Sequence, residues 1–381
     1  MSTDLAEVVE HLPLVDHHVH GASRCDLARD ELASHLTEAT LPPPAGTSQF
    51  ESQVGFALRR WCAPLLDLPA HAEVEAYVAR RAELGAAEVN RRLLVASGID
   101  HFLVETGYRA DEIYGPAEMA AAAGARAGEL VRLESVAEEL SRTGVGAGEF
   151  ASRYVEELWT RTTAAVGLKS IIAYRHGLDF APERPAPDAV RTAAGAWLAE
   201  MERTGQARIS DPVLLRHLLW AGVDRGLPLQ FHVGYGDPDL ELHRCDPLLM
   251  TGFLRAIQPR GIPVLLLHCY PFHRQAGYLA QVFPDVYLDV GLAVNYTGAR
   301  SAAVVAESLE LAPFSKLLFS TDAWGPAELH YLGARLWRRA FTRVVQRWID
   351  DGDWSPADAV RVAELVGFRN AERVYQLDGP P

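Results

Sequence analysis

The chain has 381 residues, with 36 Lys and Arg against 50 Asp and Glu, so its formal net charge is −14 with the 14 His counted as neutral. This acidic balance argues against a nucleic-acid binder, because such proteins normally carry a clustered basic face. Four widely spaced cysteines predict neither a disulfide framework nor a thiolate zinc site, and the N-terminus lacks the pattern of a secretory leader. A cytoplasmic protein is therefore expected. Membrane attachment is not, because no apolar stretch reaches the ~20 residues that span a bilayer.

Short apolar segments bounded by Gly, Pro and Asp alternate along the chain with longer stretches of helical spacing. The apolar segments predict eight strands, at residues 12–20, 99–105, 129–134, 166–173, 227–232, 263–268, 286–290 and 316–321. Strands that alternate with helices predict a parallel α/β fold. A doubly wound sheet also fits, but a (β/α)₈ TIM barrel explains better why polar residues end strands along the whole chain, since all its strand ends open on one mouth.

A barrel of this kind needs only about 250 residues, so the chain has a surplus. Most of it lies at residues 22–97, which predict a helical insertion after the first strand, with helical stretches at 50–66 and 72–96. An insertion at that point lies at the mouth of the barrel, where it can shape substrate access. A peripheral helical pair or a contact in a homo-oligomer is an equal alternative. We expect one domain over residues 1–381.

Histidines occur where metal ligands would be expected. In the sequence Asp-His-His-Val-His, which starts at Asp16, His18 and His20 project to the same side of the strand, and two such imidazoles form half of a zinc-type site. His232 and His268 end the fifth and sixth predicted strands. A buried structural histidine explains any one of these positions. It does not readily explain why four predicted strands, the first, fifth, sixth and eighth, all end in a histidine or, at Asp322, a carboxylate.

This pattern resembles the amidohydrolase superfamily, whose members bind one or two divalent metal ions in a (β/α)₈ barrel. The family motif has His-x-His after strand one, Lys or Glu on strand four, His on strands five and six, and Asp on strand eight. The resemblance implies the following metal ligands here: His18, His20, Lys169, His232, His268 and Asp322.

Four segments of the sequence indicate a particular group within this superfamily. They are GLKSIIAYRHGLDF from Gly167, LQFHVGYGDPDLEL from Leu229, LLHCYPFHRQAGYLAQVFPDVYLDVGL from Leu266 and LLFSTDAWGPAELHYLGA from Leu317. They look similar to the amidohydrolase-related half of FluG-type and nodulin/glutamine-synthetase-like proteins, in which a metallo-barrel is fused to a glutamine-synthetase-like module. That module is not expected in these 381 residues, and neither is a function that requires it.

Lys169 decides the number of metal ions. The resemblance implies that a carboxylated Lys169 bridges two ions, the second held by His232 and His268. Alternatively, Lys169 stays an ammonium group beside a single ion that is held by His18, His20, His232 and Asp322. Both alternatives stay open. Imidazole and carboxylate ligands suit Zn²⁺ best, and Mn²⁺, Fe²⁺ and Co²⁺ are chemically acceptable.

These residues predict a metal-dependent enzyme that hydrolyses a C–N amide bond of a small molecule, since such an ion makes water nucleophilic at neutral pH. Asp322 would accept the proton of the water and pass it to the leaving amine. His268 would polarise the carbonyl group or stabilise the oxyanion if it does not bind a second ion. The FluG-type resemblance suggests γ-glutamyl amides. A decarboxylase or hydratase of a small carboxylic acid is the first alternative, and a non-catalytic binding or regulatory barrel is the second.

Four further residues are candidates for substrate binding. Arg175 would grip a substrate carboxylate with two parallel hydrogen bonds, assisted by Tyr174, although a structural salt bridge explains Arg175 equally well. Glu105 and Glu134 end the second and third predicted strands, where they would bind a substrate ammonium group or pair with Arg175 or Lys169.

Overall fold

Helices and parallel strands alternate along the part of the chain that the computed structural model describes, residues 4–377. The strands are β1 (Leu14–Val19), β2 (Ile99–Glu105), β3 (Arg126–Arg132), β4 (Gly167–Ser170), β5 (Leu229–Val233), β6 (Val264–His268) and β7 (Val286–Leu288). The α-helices are α1 (Leu5–Glu10), α2 (Arg29–Ser34), α3 (Gln53–Trp61), α4 (Val74–Leu84), α5 (Ala86–Ser97), α6 (Pro116–Ala123), α7 (Leu133–Ser141), α8 (Phe150–Arg161), α9 (Ile172–Arg175), α10 (Pro187–Thr204), α11 (Pro212–Arg225), α12 (Thr251–Ile257), α13 (His273–Val282), α14 (Gly291–Thr297), α15 (Ser301–Ser308), α16 (Ala327–Asp350), α17 (Pro356–Glu364) and α18 (Asn370–Tyr375). Shorter helical turns lie at Ala63–Leu66, Leu242–Arg244, Pro247–Met250, Gln258–Arg260, Gly298–Arg300, Phe314–Lys316 and Leu365–Arg369.

The chain divides into two compact units. The first comprises the described parts of Met1–Gly128 and Asp289–Pro381, and the second comprises Glu129–Leu288. In the first unit β1 pairs in parallel with β2, and in the second unit β3 to β7 pair in parallel in chain order. Strands β1, β4, β5 and β6 are buried along their whole length, as is typical of parallel strands in α/β proteins. The predicted parallel α/β class is confirmed.

The segment predicted as the eighth strand, residues 316–321, is not a strand in the structure. Its first residue ends the 3₁₀ turn Phe314–Lys316, and the chain then runs extended beside β1. A few backbone hydrogen bonds tie it there in place of a ladder: His17 N donates to Phe319 O (3.2 Å) and Asp322 N donates to His18 O (3.1 Å). The strand prediction was therefore wrong, but the segment still carries Asp322 to the carboxyl end of β1.

The third and fourth strands both end earlier than predicted. Chain direction changes at Leu133, where α7 begins, so Glu134 lies in the first turn of a helix and not at a strand end. Its Oε1 accepts hydrogen bonds from Ser170 Oγ (2.7 Å) and Ile171 N (3.1 Å). Because Ile171 N is satisfied by this carboxylate, β4 stops at Ser170 and α9 follows.

Residues 22–97 contain helices α2 to α5, as predicted for an insertion after the first strand. The predicted helix at 72–96 is broken in two at Gly85, whose φ of 75° lies in the left-handed region that favours glycine. Among the helices of residues 4–377, none is long and apolar enough to cross a membrane.

A buried ion pair joins α4 to α16 in the first unit. Arg81 Nε donates to Glu328 Oε1 (2.8 Å), which also accepts from Tyr77 Oη (2.9 Å). The side chains of Arg81 and Glu328 are 2% and 0% exposed. Burial alone would raise the pKa of Glu328, but the guanidinium of Arg81 holds it below its ordinary value. The pair therefore ties the insertion to the helix that follows Asp322.

Candidate metal centre

His18 and His20 lie at the carboxyl end of β1 in the first unit, with ring centroids 5.5 Å apart. As predicted, the preceding side chain points elsewhere: His17 Nε2 bonds to Asp289 Oδ2 (3.0 Å) and its Nδ1 to Tyr375 Oη (3.0 Å). Two imidazoles of this strand are thus directed to one place.

Asp322 faces both imidazoles. Its Oδ1 lies 3.1 Å from His18 Nε2 and 3.9 Å from His20 Nε2. Asp322 has a φ of 51°, a left-handed conformation that costs a residue other than glycine of order 1–3 kcal/mol and that often marks a functional site. Backbone strain is therefore tolerated at the residue that faces the two histidines.

Neighbouring side chains fix the orientation of these groups. His20 Nδ1 lies 3.1 Å from Glu105 O and 3.3 Å from Glu105 Oε2, so it donates its proton there and leaves the Nε2 lone pair toward Asp322. Glu105 Oε1 accepts from Gly107 N (2.7 Å). Since both of its oxygens are engaged, Glu105 is better suited to orient a ligand histidine than to bind substrate.

Asp16 anchors the residue before Asp322. Its Oδ1 accepts from Thr321 N (3.0 Å) and its Oδ2 from Thr321 Oγ1 (2.5 Å). Burial raises the pKa of Asp16 to about 8, although these hydrogen bonds act in the opposite direction. From α16, His330 Nε2 donates to the backbone oxygen of His20 (3.0 Å). These contacts hold the backbone beside Asp322 and the backbone at His20 in place.

The residues fit a divalent metal ion. One ligand atom each from His18, His20 and Asp322 can be chosen so that all lie within 4.8 Å of one another. Two imidazole nitrogens and a carboxylate oxygen are the donor types that divalent transition metals prefer in catalytic sites.

The second unit holds the other ligands that the sequence predicts. Lys169, which is 2% exposed, lies near the carboxyl end of β4. His232 lies on β5 and His268 ends β6, and the centroids of their rings are 4.6 Å apart. Burial, together with the nearby ammonium group of Lys169, lowers the pKa of His232 well below its ordinary value, so its imidazole is neutral. Among residues 4–377, no group hydrogen-bonds to His232 Nε2. His232 therefore offers a neutral, buried nitrogen of the kind that binds metal.

Two predicted substrate-binding residues of this unit have structural partners. Arg175 Nη2 pairs with Glu138 Oε1 (3.0 Å), which is the salt bridge foreseen as the alternative. The ring of Tyr174 packs against His232 with centroids 4.5 Å apart, and its backbone oxygen accepts from Arg208 (3.0 Å). Glu134, as described above, contacts Ser170 and Ile171.

A sequence model of the amidohydrolase family matches residues 67–377. The chain belongs to the amidohydrolase family. A curated relative of this amidohydrolase, protein fluG of Emericella nidulans, is 34% identical over 229 residues, which are 57% of this chain and 26% of that protein. The amidohydrolase chain thus spans about a quarter of the length of that relative.

Solved structures confirm the predicted α/β (β/α)₈ fold of this amidohydrolase. A Lactobacillus casei protein assigned as a metal-dependent hydrolase superposes with a TM-score of 0.87 and 27% identity over 99% of both chains. An uronate isomerase of Bacillus halodurans superposes with a TM-score of 0.62 and 14% identity, covering 98% of this chain and 96% of that one, and shows the fold alone. The family match and these superpositions therefore show the family and the fold of the chain.

Proposed function

We propose that this protein hydrolyses a C–N amide bond of a small molecule, with γ-glutamyl amides as the substrate class. The observation that carries the proposal is the convergence of Asp322 on His18 Nε2 (3.1 Å) and His20 Nε2 (3.9 Å) at the carboxyl end of β1. Membership of the amidohydrolase family supports the chemistry. The γ-glutamyl part rests on the FluG-type resemblance of the sequence.

Zn²⁺ is the proposed metal, since neutral imidazoles and a carboxylate suit it. His18, His20 and Asp322 would hold it, and if Lys169 is carboxylated, this group with His232 and His268 would hold a second ion. The ion supplies Lewis acidity, which makes water nucleophilic at neutral pH.

Asp322 is the proposed proton carrier. Its carboxylate lies within hydrogen-bonding distance of His18 and is 13% exposed, so it remains accessible to a water molecule. It accepts a proton from the attacking water and then donates that proton to the nitrogen of the leaving amine, which departs as a neutral molecule. Where no second ion is bound, His268, at the end of β6, would polarise the carbonyl group.

The carboxylate of Glu134 and the guanidinium of Arg175, both in the second unit, suit the α-amino acid end of a γ-glutamyl compound. Glu134 Oε2 and Arg175 Nε are buried, and neither has a hydrogen-bond partner among residues 4–377. Burial removes both groups from water, which raises the pKa of Glu134 and lowers that of Arg175, although Glu138 still pairs with another nitrogen of Arg175. A substrate ammonium group on Glu134 and a substrate carboxylate on Arg175 would satisfy both atoms.

The test is an assay of zinc-loaded protein on a panel of γ-glutamyl amides, with released amine as the readout. Arg175→Gln is expected to raise KM about tenfold or more with a smaller change in kcat, because it removes ground-state and transition-state binding alike. Arg161→Gln, at an exposed ion pair with Glu139, is the matched control. Release of carbon dioxide from a carboxylic acid panel, with no amine from any amide, would overturn the proposal in favour of a lyase.

A further inference from the structure

Trp324 forms an aromatic and polar cluster with the insertion and the loop after β2, all within the first unit. It follows Asp322 by two residues, and its ring lies 5.1 Å from that of His35, which directly follows α2. The ring of Tyr108 is 5.8 Å from that of Trp324, and the guanidinium carbon of Arg109 lies 4.9 Å from the indole centroid. Two separate segments of chain thus contact Trp324.

The backbone turns at Gly325, next to Trp324. Gly325 has a φ of 81°, in the left-handed region that favours glycine, and a Cβ built there would lie 3.1 Å from Ser23 Oγ. Its backbone is fixed by hydrogen bonds, since Ser23 N donates to Gly325 O (2.7 Å) and Gly325 N donates to Gly21 O (3.1 Å). The backbone oxygen of His35 accepts a hydrogen bond from Tyr296 Oη (3.4 Å). The backbone that carries each ring is therefore held by other parts of the first unit.

Two hydrogen-bonding groups of this cluster are not used by the protein. Trp324 Nε1 is buried, and no group among residues 4–377 accepts its proton. The His35 ring makes no hydrogen bond within the described part of the chain either. A buried N–H group without an acceptor costs about 1–3 kcal/mol, so a ligand oxygen that accepts from it is favoured.

The charges around the cluster decide which kind of oxygen fits. Arg109 pairs with Glu112 (2.5 Å), and Arg81, which influences His35 electrostatically, pairs with Glu328 (2.8 Å). Burial lowers the pKa of His35, so its imidazole is neutral at pH 7. The cluster therefore offers two neutral N–H groups, those of the indole and of the neutral imidazole, beside an Arg109 guanidinium that Glu112 already pairs.

We propose that Trp324 and His35 form a subsite that binds an uncharged oxygen of the substrate, a hydroxyl or carbonyl group, beside the scissile bond. This inference rests on the proposed amide hydrolysis and adds that the substrate carries a neutral polar group, such as a hydroxyl, near the scissile bond.

Small probes without the γ-glutamyl group test the subsite separately from the proposed function. They are N-(2-hydroxyethyl)acetamide, N-propylacetamide and N-acetylglycine, which carry a hydroxyl, a methyl and a carboxylate group. The indole N–H signals of ¹⁵N-labelled, zinc-loaded protein report binding, and the signal that is missing in Trp324→Phe identifies Trp324.

The hydroxyethyl probe is expected to shift the Trp324 signal saturably and to bind about two- to tenfold more tightly than the propyl probe, as one added hydrogen bond predicts. His35→Ala should reduce this preference, whereas Trp348→Phe, which alters a tryptophan packed against Trp354, should leave it unchanged. The subsite is overturned if the three probes bind alike, if the carboxylate binds most tightly, or if none shifts the Trp324 signal. Amine release from γ-glutamyl amides is measured independently, so the subsite and the proposed amide hydrolysis can each be overturned without the other.

Discussion

Asp322→Asn is expected to lower the rate of amine release by a factor of about 10²–10⁴, the range found when a general acid–base group is removed. An amide keeps the shape of the carboxylate and can still contact His18, but it cannot accept the proton of water at neutral pH. It is also a weaker ligand for a divalent cation. The measurement is kcat for a γ-glutamyl amide at saturating metal concentration, so that weaker metal binding does not obscure the loss of proton transfer.

Asp350→Asn is the matched control for this prediction. Asp350 is an exposed carboxylate at the end of α16, where it accepts from Gln346 Nε2 (2.8 Å), and its replacement should leave kcat within twofold of the unmodified protein. Full activity in Asp322→Asn, at a metal content equal to that of the unmodified protein, would rule out Asp322 as the proton carrier.

Arg81→Met is expected to lower the free energy of unfolding by about 3–5 kcal/mol, because it leaves the buried Glu328 carboxylate without its partner. Arg81 Nη2 and Glu328 Oε2 already lack hydrogen-bond partners among residues 4–377. Once Arg81 is replaced, Glu328 Oε2 therefore has no hydrogen bond within this part of the chain to compensate the carboxylate. Adding Glu328→Gln in the double variant should restore much of the loss, since the amide is uncharged. Urea unfolding followed by circular dichroism measures all three proteins.

The adjacent Arg80 provides the control. It pairs with Asp67 (2.7 Å) and Glu83 (3.1 Å), carboxylates that are 60% and 66% exposed. Solvent screens these pairs, so Arg80→Met should cost no more than about 1 kcal/mol. Equal destabilisation by the two substitutions would show that the buried pair does not tie the insertion to α16.

The sequence predicts those features of the candidate centre that depend on residues close together in the chain. His18 and His20 face one side because alternate residues on a strand do so, and this follows from spacing alone. The strand ends at His232 and His268 are likewise marked by apolar segments followed by a polar residue. The ligand set as a whole stays a prediction, with the convergence of His18, His20 and Asp322 now described within one unit.

What the sequence does not predict depends on partners far apart in the chain. Glu105 ends its strand as expected, but its partner is His20, 85 residues earlier, and no spacing rule encodes that contact. The sequence predicts Glu134 at the end of a strand, yet a helix begins one residue before it. The Arg81–Glu328 pair joins residues 247 apart, and the contact of His35 with Trp324 likewise requires the folded chain.

The most direct test of metal-dependent amide hydrolysis is amine release by metal-stripped protein as Zn²⁺ is added in known molar ratios. The stripped protein should be inactive, and activity should return in full at one equivalent, or at two if Lys169 is carboxylated. Lys169→Ala should then saturate at one equivalent. Amine release that persists at full rate in the stripped protein, with metal absent by elemental measurement, would contradict the account.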